Sequence, residues 1–145
     1  MNPAQAAALL EQVTEAWVAD PDSDVVWAGA YEGRWGIRMR QQCRDATTVW
    51  FSVGELTVGY EAYLLPNPPH GQQDVYRHCL ARNYRSWPAA IAIDDQGDIY
   101  VRGRIHLDRL SSHAIDEAVG AVYEVVELSF GQLVALGFSH REKSS

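Results

Sequence analysis

The sequence predicts a single α+β domain in which helices pack on a five-stranded, mainly antiparallel sheet. Three observations indicate this class: an amphipathic helix pattern at the N-terminus, three alternating strand patterns in succession, and a long apolar helix pattern near the C-terminus. A helix and a hairpin lie between the strands and the last helix, so the predicted order is α-β-β-β-α-β-β-α. The 145 residues suffice for one core, and we expect a single domain over residues 1–138 and a polar tail over 139–145.

The first helix is predicted from Pro3 to about Ala19. Asn2 is a good N-cap, and Pro3 suits the first helical position, where its missing N–H costs nothing. Two uses of this helix are open: an arm that binds a partner, or a helix that lies on its own domain. We favour the second use because the apolar stripe has ordinary width. The stripe consists of Ala6, Leu9, Leu10, Val13 and Trp17.

The stretch from residue 21 to residue 64 predicts three strands preceded by an ambiguous segment. Turn formers flank VVWAGAY, residues 25–31, so a short strand and an irregular loop are equally consistent with it. Strands are predicted from Arg34 to Arg40, from Thr47 to Val53 and from Leu56 to Leu64, with apolar residues at every second position. Gly54-Glu55 suits a two-residue turn between the last two strands. The inward-facing residues are Trp35, Ile37, Met39, Val49, Phe51, Val53, Leu56, Val58, Tyr60, Ala62 and Leu64.

A second helix and a hairpin follow a proline-rich break at residues 66–71. The helix is predicted from Gln72 or Gln73 to Asn83, which tolerates the left-handed conformation that ends many helices. Its apolar side comprises Val75, Tyr76, Cys79 and Leu80. Residues 89–94 are apolar on both faces, which predicts an inner strand covered on both sides. The turn at residues 95–98 then leads into a strand from Ile99 to His106.

The last helix is predicted from Ser111 or Ser112 to Leu136, with Gly137 at its C-terminal cap. Its apolar residues cover more than half of its circumference. Such a broad surface implies contact with a second helix of the chain or with a second subunit, in addition to the sheet. The two stripes are Ile115, Val119, Val122, Val126, Phe130 and Leu133, and Ala118, Ala121, Val125 and Leu128.

The net charge of −7 disfavours generic binding to nucleic acid or to an anionic membrane, because the field of the whole chain repels polyanions. The N-terminus lacks the features of a signal peptide, and we expect no window with the roughly 18 to 20 apolar residues that a membrane span needs. Cys43 and Cys79 lie far apart, without metal-site or redox-site spacing. We therefore expect a cytoplasmic protein with reduced thiols.

Motifs of catalysis, metal binding and cofactor binding are not found in the sequence. The acidic group Asp94, Asp95 and Asp98 suits a metal, but aspartate and glycine are also the usual residues of a hairpin turn, which we favour. His78 and Cys79 are adjacent on a predicted helix and therefore do not face each other as a catalytic pair. The five histidines have no zinc-ligand spacing, and no phosphate-binding loop is present. We predict no enzyme, no catalytic residue, no cofactor and no metal.

A surface that combines arginines with aromatic rings emerges when the second faces of the strands are collected. Such a surface is suited to hold an acidic peptide or single-stranded nucleic acid. The alternative, which we favour, is that these side chains lie against the N-terminal helix, pair with its carboxylates, or form a subunit interface. The candidate partner-binding residues are Arg38, Arg40, Trp50, Tyr63, Tyr100, Arg102 and Arg104, with His106 beside them.

Several motifs in the second half of the chain resemble the YbjN-domain proteins of actinobacteria, over roughly residues 46 to 138. They are Val75-Tyr76-Arg77, Arg82-Asn83, Gly97-Asp98-Ile99-Tyr100, Val101-Arg102-Gly103-Arg104, Val119-Gly120, Glu124 and Glu127, Phe130, and Leu133 to Phe138. The resemblance implies a fold similar to the type III secretion chaperones. Proteins of that fold are usually small, acidic, cytosolic and often dimeric, and they bind polypeptide segments.

Together, the residues and the resemblance predict a non-enzymatic protein-binding, chaperone-like or regulatory protein, since YbjN proteins are described as regulators of sensory transduction. We expect a protein partner and a homodimer formed through the final helix or a face of the sheet, with no membrane partner and with nucleic acid disfavoured. The alternative function is an adaptor that binds an acidic ligand or nucleic acid on the arginine and aromatic face. Fold alone does not decide between them.

Overall fold

The computed structural model describes residues 1–139, which form an antiparallel six-stranded sheet and three α-helices. The strand order across the sheet is β1-β2-β3-β4-β6-β5. Of the predicted polar tail, residues 139–145, only Ser139 lies within the described residues. The helices are α1 (Pro3–Ala19), α2 (Gln72–Arg85) and α3 (Ser112–Gly137), and a short 3-10 helix spans Leu107–Arg109. The strands are β1 (Val25–Tyr31), β2 (Arg34–Arg40), β3 (Ala46–Val53), β4 (Thr57–Leu65), β5 (Ala90–Ile93) and β6 (Ile99–His106).

The α+β class is confirmed, but the predicted number of five strands is wrong because VVWAGAY forms the additional strand β1. It pairs with β2 from Trp27 opposite Arg38 to Tyr31 opposite Arg34. The turn between them is Glu32-Gly33, and both residues have positive φ, 49° and 77°, as tight hairpin turns require. A bulge after Val25 interrupts the alternation of side chains, which explains why the sequence pattern of this strand was ambiguous. The observed order is α-β-β-β-β-α-β-β-α.

One face of the sheet forms the core together with the helices. Its central row runs across five strands, and each of its members is at most 6% exposed. The row consists of Ile37, Val49, Ala62, Val101 and Ile91, in that order across the sheet. Helix α1 lies on this face, as favoured from the sequence: Ala6 and Leu10 are fully buried. The indole N–H of Trp35 on β2 also donates a 2.9 Å hydrogen bond to Oγ1 of Thr14 on α1.

Several predicted boundaries are wrong by one or two residues. Gly137, predicted as the cap of the last helix, is its final residue, and Phe138 is the C-cap. The backbone N–H of Gly54 bonds the carbonyl of Thr57 at 2.9 Å, so the tight turn contains Glu55 and Leu56. Leu56 is consequently 77% exposed instead of facing the core. Helix α2 continues past Asn83 to Arg85, and Leu80 lies on its solvent side at 70% exposure.

Strand β5 is an edge strand, so the prediction of an inner strand covered on both faces is wrong. Ile91 is buried, whereas Ile93 is 54% exposed. The free edge of β5 is covered by a side chain of α2 and not by a further strand. The amide of Asn83 donates to the carbonyl of Ile91 at 2.9 Å and accepts from the N–H of Ile91 at 2.7 Å. Asn83 thus occupies the position of a neighbouring strand.

Helix α3 is capped by Ser111, whose Oγ accepts the N–H of Ala114 at 3.0 Å. Its second apolar stripe packs largely against α2 of the same chain: Ala118 and Val125 are buried, and Leu128 remains 47% exposed. Contrary to the sequence expectation, α3 is long and apolar enough to cross a membrane by length and composition. A core helix of a soluble protein passes the same test, and Val122 and Leu133 of α3 are fully buried in this core.

Candidate partner-binding surface

The second face of the sheet, opposite the helices, is exposed to solvent, and we call it the open face. All seven candidate residues predicted from the sequence lie on it: Arg38, Arg40, Trp50, Tyr63, Tyr100, Arg102 and Arg104. They share one face because Trp50 pairs with Glu61, Glu61 pairs with Arg102, and Tyr63 pairs with Tyr100 across the strands. His106, at the end of β6, is exposed beside them. The idea that they lie against the N-terminal helix is wrong, because α1 packs on the other face.

A cluster of aromatic rings occupies the β1 side of the open face and is centred on Trp50. Its ring centroid lies 6.3 Å from that of Trp27, edge to face, and 6.0 Å from that of Tyr31. The guanidinium carbon of Arg34 lies 4.9 Å from the centroid of Trp50, which is cation–π geometry. Gly36 is opposite Trp50, and a Cβ on Gly36 would lie 2.5 Å from the indole ring. The absence of a side chain at this position therefore lets the indole lie directly on the backbone of β2.

Sequence reasoning missed Trp27, Tyr31 and Arg34 as members of this surface. Trp27 and Tyr31 belong to β1, whose assignment as a strand was open. Both rings have the same parity along VVWAGAY and alternate with small residues. That spacing was the sequence feature that pointed to a second aromatic strand face.

The electrostatics of the open face differ from those of the chain as a whole. The full chain has 12 Lys and Arg against 19 Asp and Glu. The open face carries five arginines and one carboxylate in its centre, that of Glu61, with Asp94 at its β5 side. Arg34 contacts Glu61 at 3.4 Å with both side chains about one third exposed, so this ion pair stabilises the fold only weakly. The remaining arginines are Arg38, Arg40, Arg102 and Arg104, all exposed.

The other half of the open face carries the tyrosine pair Tyr63 and Tyr100, whose rings meet edge to face at 5.6 Å. Burial is the largest cause that raises the pKa of both phenols, and the carboxylates of Asp94 and Asp98 raise the pKa further. Both hydroxyls therefore stay neutral at physiological pH. Next to them a cavity of about 180 Å³ is lined by Glu61, Ala92, Ile93, Asp94, Tyr100 and Arg102. This half therefore combines neutral hydroxyl groups with a guanidinium and two carboxylates.

The acidic turn is held together by its own carboxylates. One oxygen of Asp94 accepts the backbone N–H groups of Gln96 and Asp98 at 2.9 and 3.0 Å. Asp98 in turn accepts the N–H of Asn67 at 2.8 Å. These bonds support the interpretation of this stretch as a hairpin turn, which also needs the positive φ of Gly97, 85°.

The thiol and imidazole of α2 are not arranged for nucleophilic chemistry. Burial raises the pKa of Cys79 to about 11, so its thiol remains protonated. Burial, followed by the charge of Arg82, lowers the pKa of His78. Cys43 is a free thiol as well, and its pKa is raised by burial and by Glu127.

Comparison of the sequence with known proteins assigns the chain to a family. Residues 15–134 match the sequence model of YbjN, described as "Putative bacterial sensory transduction regulator". The chain belongs to the YbjN family. Similar sequences occur in mycobacteria: an uncharacterized protein of Mycobacterium bovis is 40% identical over 87 residues, which is 60% of this chain and 48% of that protein. One of Mycobacterium leprae is 38% identical over 102 residues, 70% and 55% of the two chains.

The matched part of this YbjN chain spans about half the length of those mycobacterial relatives. Among solved structures, the heterodimeric complex ExoU–SpcU of the Pseudomonas aeruginosa type III secretion system is similar at a TM-score of 0.46. The sequence identity is 15%, and the alignment covers 85% of this chain and 96% of that chain. This similarity is distant, and the YbjN fold is therefore described from its own strand order.

Several residues that carry the YbjN resemblance have structural tasks in this chain. Asn83 covers the edge of β5, Gly97 adopts the left-handed conformation of the hairpin turn, and Glu127 binds a loop of the sheet. By contrast, Arg102 and Arg104 of the same resemblance extend into solvent. The resemblance therefore includes both residues that hold the fold together and two arginines that lie on the open face.

Proposed function

We propose that this YbjN chain is a non-enzymatic, chaperone-like or regulatory protein that binds an acidic segment of a partner protein on its open face. The observation that supports the proposal is that five arginines share the open face with an exposed aromatic cluster on a chain with net charge −7, one of them, Arg34, lying over the ring of Trp50. Arginine and aromatic side chains are the groups that protein interfaces favour in their contact centres. An extended acidic segment with apolar side chains matches both features.

The chemistry of the face favours a protein segment over nucleic acid. Phosphate backbones carry a dense negative charge, which the net charge of the chain repels over long distances. A protein segment needs only a few carboxylates and offers apolar side chains to Trp27 and Tyr31, which are 41% and 58% exposed. Single-stranded nucleic acid remains the competing ligand in the test below.

We propose further that the chain acts in the cytoplasm as a homodimer. The two free thiols support the reducing compartment. For the dimer, α2 already covers most of the second stripe of α3, which favours the sheet over the final helix as the subunit contact. Light scattering during size-exclusion chromatography measures the mass directly, and a strict monomer at high concentration would contradict the homodimer.

The open face is tested by reversing two charges on it. Arg102→Glu with Arg104→Glu changes the net charge by the same amount as Arg77→Glu with Arg109→Glu, and the second pair is exposed elsewhere on the molecule. The probes are three fluorescent ligands of equal length: a Glu- and Trp-containing peptide, its Lys counterpart and a single-stranded oligonucleotide. Anisotropy titrations measure the dissociation constants, and circular dichroism checks the fold.

We expect the unaltered chain to prefer the acidic peptide and the face variant to bind it about tenfold more weakly, a loss of about 1.4 kcal/mol. The control variant, by comparison, should lose much less. If both folded variants bind the acidic peptide equally well, the open face is not the binding site. Preference for the oligonucleotide would replace the protein segment by nucleic acid as ligand.

A further inference from the structure

The two edges of the sheet differ in how their backbone groups are satisfied. At the β5 edge, the side-chain amide of Asn83 bonds both backbone groups of Ile91, at 2.9 and 2.7 Å, and the strand has only four residues. At the β1 edge, the strand has seven residues, Val25–Tyr31. In the described part of the chain, no hydrogen bond from another residue reaches Ala28 or Ala30 along this edge.

The free backbone groups of β1 follow from its register. Tyr31 and Arg34 flank the two-residue turn and form a hydrogen-bonded pair with each other. Because such pairs alternate along an antiparallel ladder, the N–H and C=O groups of Ala28 and Ala30 point away from β2. Soluble proteins usually protect an open edge with charges, proline or short length. Strand β1 contains no charged residue and no proline.

We propose that β1 pairs antiparallel with β1 of a second copy of this chain, with Gly29 on the two-fold axis. This inference rests on the homodimer proposed above and identifies its contact surface. Two six-stranded sheets join into one continuous sheet, and the two open faces become a single surface. In this register Ala28 of each chain exchanges backbone hydrogen bonds with the partner's Ala30.

The side chains of this register are complementary. Trp27 lies opposite the partner's Tyr31 on the open face, so each exposed ring of β1 gains an aromatic neighbour. Gly29 faces its own copy, which lets the strands approach without a side chain between them.

A second copy fits this edge better than a foreign peptide. The strand is neutral, although the chain has a net charge of −7, so two copies meet here without like charges along the strands. The pairing is also symmetric, since the same short segment supplies both sides of the contact. Such self-complementarity is expected of a strand that pairs with its own copy, whereas a strand that binds a foreign peptide does not require it.

Ala30→Lys tests the contact, because a lysine on an edge strand opposes pairing with another strand. Ser52→Lys is the matched control: it adds the same charge at an exposed position of β3, an inner strand. Sedimentation equilibrium should show a dimer for the unaltered chain and for the control, and a monomer fraction raised at least tenfold for Ala30→Lys. Circular dichroism verifies that both variants are folded.

Gly29→Cys tests the register independently, because only the proposed axis places residue 29 next to its own copy. Mild oxidation should yield a disulfide-linked dimer of Gly29→Cys and no such product from Ser52→Cys or the unaltered chain. Although the Trp27 ring must move aside for this cysteine, the ring is exposed.

A dimer that persists in Ala30→Lys without cross-linking at residue 29 would overturn the edge contact while leaving the homodimer intact. A monomeric unaltered chain would overturn both, whereas peptide binding to the open face stands or falls in its own titration.

Discussion

Glu127 on α3 accepts a 2.6 Å hydrogen bond from the backbone N–H of Gln42, in the loop between β2 and β3. The same carboxylate oxygen accepts the side-chain amide of Gln41 at 2.6 Å and the N–H of Cys43 at 3.2 Å. Burial alone would raise the pKa of Glu127, but these hydrogen bonds together hold it below its ordinary value. One ionised side chain of the helix layer therefore organises a loop of the sheet.

The first prediction concerns Glu127→Gln. Glutamine keeps the accepting oxygen but not its charge, so the hydrogen bonds from Gln41, Gln42 and Cys43 become neutral and weaker, and the free energy of unfolding should fall by about 1–2 kcal/mol at pH 7. Because the pKa of Glu127 is lower in the folded chain than in the unfolded chain, the stabilisation by its carboxylate is complete above the unfolded pKa of roughly 4.3. It is lost as the pH falls through the folded pKa. Urea unfolding should therefore show a smaller difference in the free energy of unfolding between the unaltered chain and Glu127→Gln at about pH 3 than at about pH 7. Glu124→Gln, exposed on the same helix, should show no comparable gap.

Asn83→Ala is expected to weaken the β5 edge. Both backbone groups of Ile91 lose their partner, which should cost about 1–3 kcal/mol in the free energy of unfolding. Hydrogen exchange should accelerate at the amide of Ile91, which can be measured by NMR. Tyr84→Ala changes a side chain that is 93% exposed on the same helix and should alter stability by less than about 0.5 kcal/mol. Unchanged exchange at Ile91 would contradict the role of Asn83.

Gly36→Ala is expected to displace the ring of Trp50. The added Cβ would lie 2.5 Å from the indole, which is too close for any real contact. The indole resonance of Trp50 should shift in NMR spectra, and binding of the acidic peptide should weaken. Gly59→Ala is the matched control on the same face, since its Cβ would meet only the carbonyl of Ser52 at 4.0 Å. An unmoved Trp50 resonance in Gly36→Ala would refute the close packing.

Tyr60→Phe should make the protein more resistant to alkali. The Tyr60 hydroxyl is buried and has no hydrogen-bond partner among residues 1–139, and burial raises its pKa to about 12. Because the unfolded phenol ionises near pH 10, stability is complete below that pH and is lost as the pH rises towards 12. Urea unfolding at several pH values between about 8 and about 11 should show that the free energy of unfolding falls less steeply with pH for Tyr60→Phe than for the unaltered chain. Tyr84→Phe, exposed, should leave the slope unchanged.

Local patterns predicted much of the fold. The bounds of α1 and β6 agree with the sequence analysis, because caps and alternation depend on neighbouring residues. The pattern of Leu56 to Leu64 is right for Val58 to Leu64 and wrong for Leu56, because the hairpin turn is placed by pairing with β3. Strand β1 was ambiguous, since its bulge breaks the alternation and its partner strand lies outside the local window.

Local patterns also predicted part of the candidate surface, and strand pairing decided the rest. Alternation was enough to place Arg102, Arg104 and Tyr100 on one strand face and Trp50 on another. That these faces join into one surface depends on β4 lying between β3 and β6, a neighbour relation that no local pattern contains.

The sequence by itself determined the α+β class, the three helices with the N-caps of α1 and α3, and which side chains of most strands share a face. Only the tertiary structure decided the order of the strands, the exposure of β5 and β1 at the edges, and the distant contacts of Glu127 and Asn83. The physical reason is range. Backbone dihedrals and side-chain periodicity are properties of adjacent residues, whereas strand neighbours and buried polar contacts are set by the packing of the whole chain around one core.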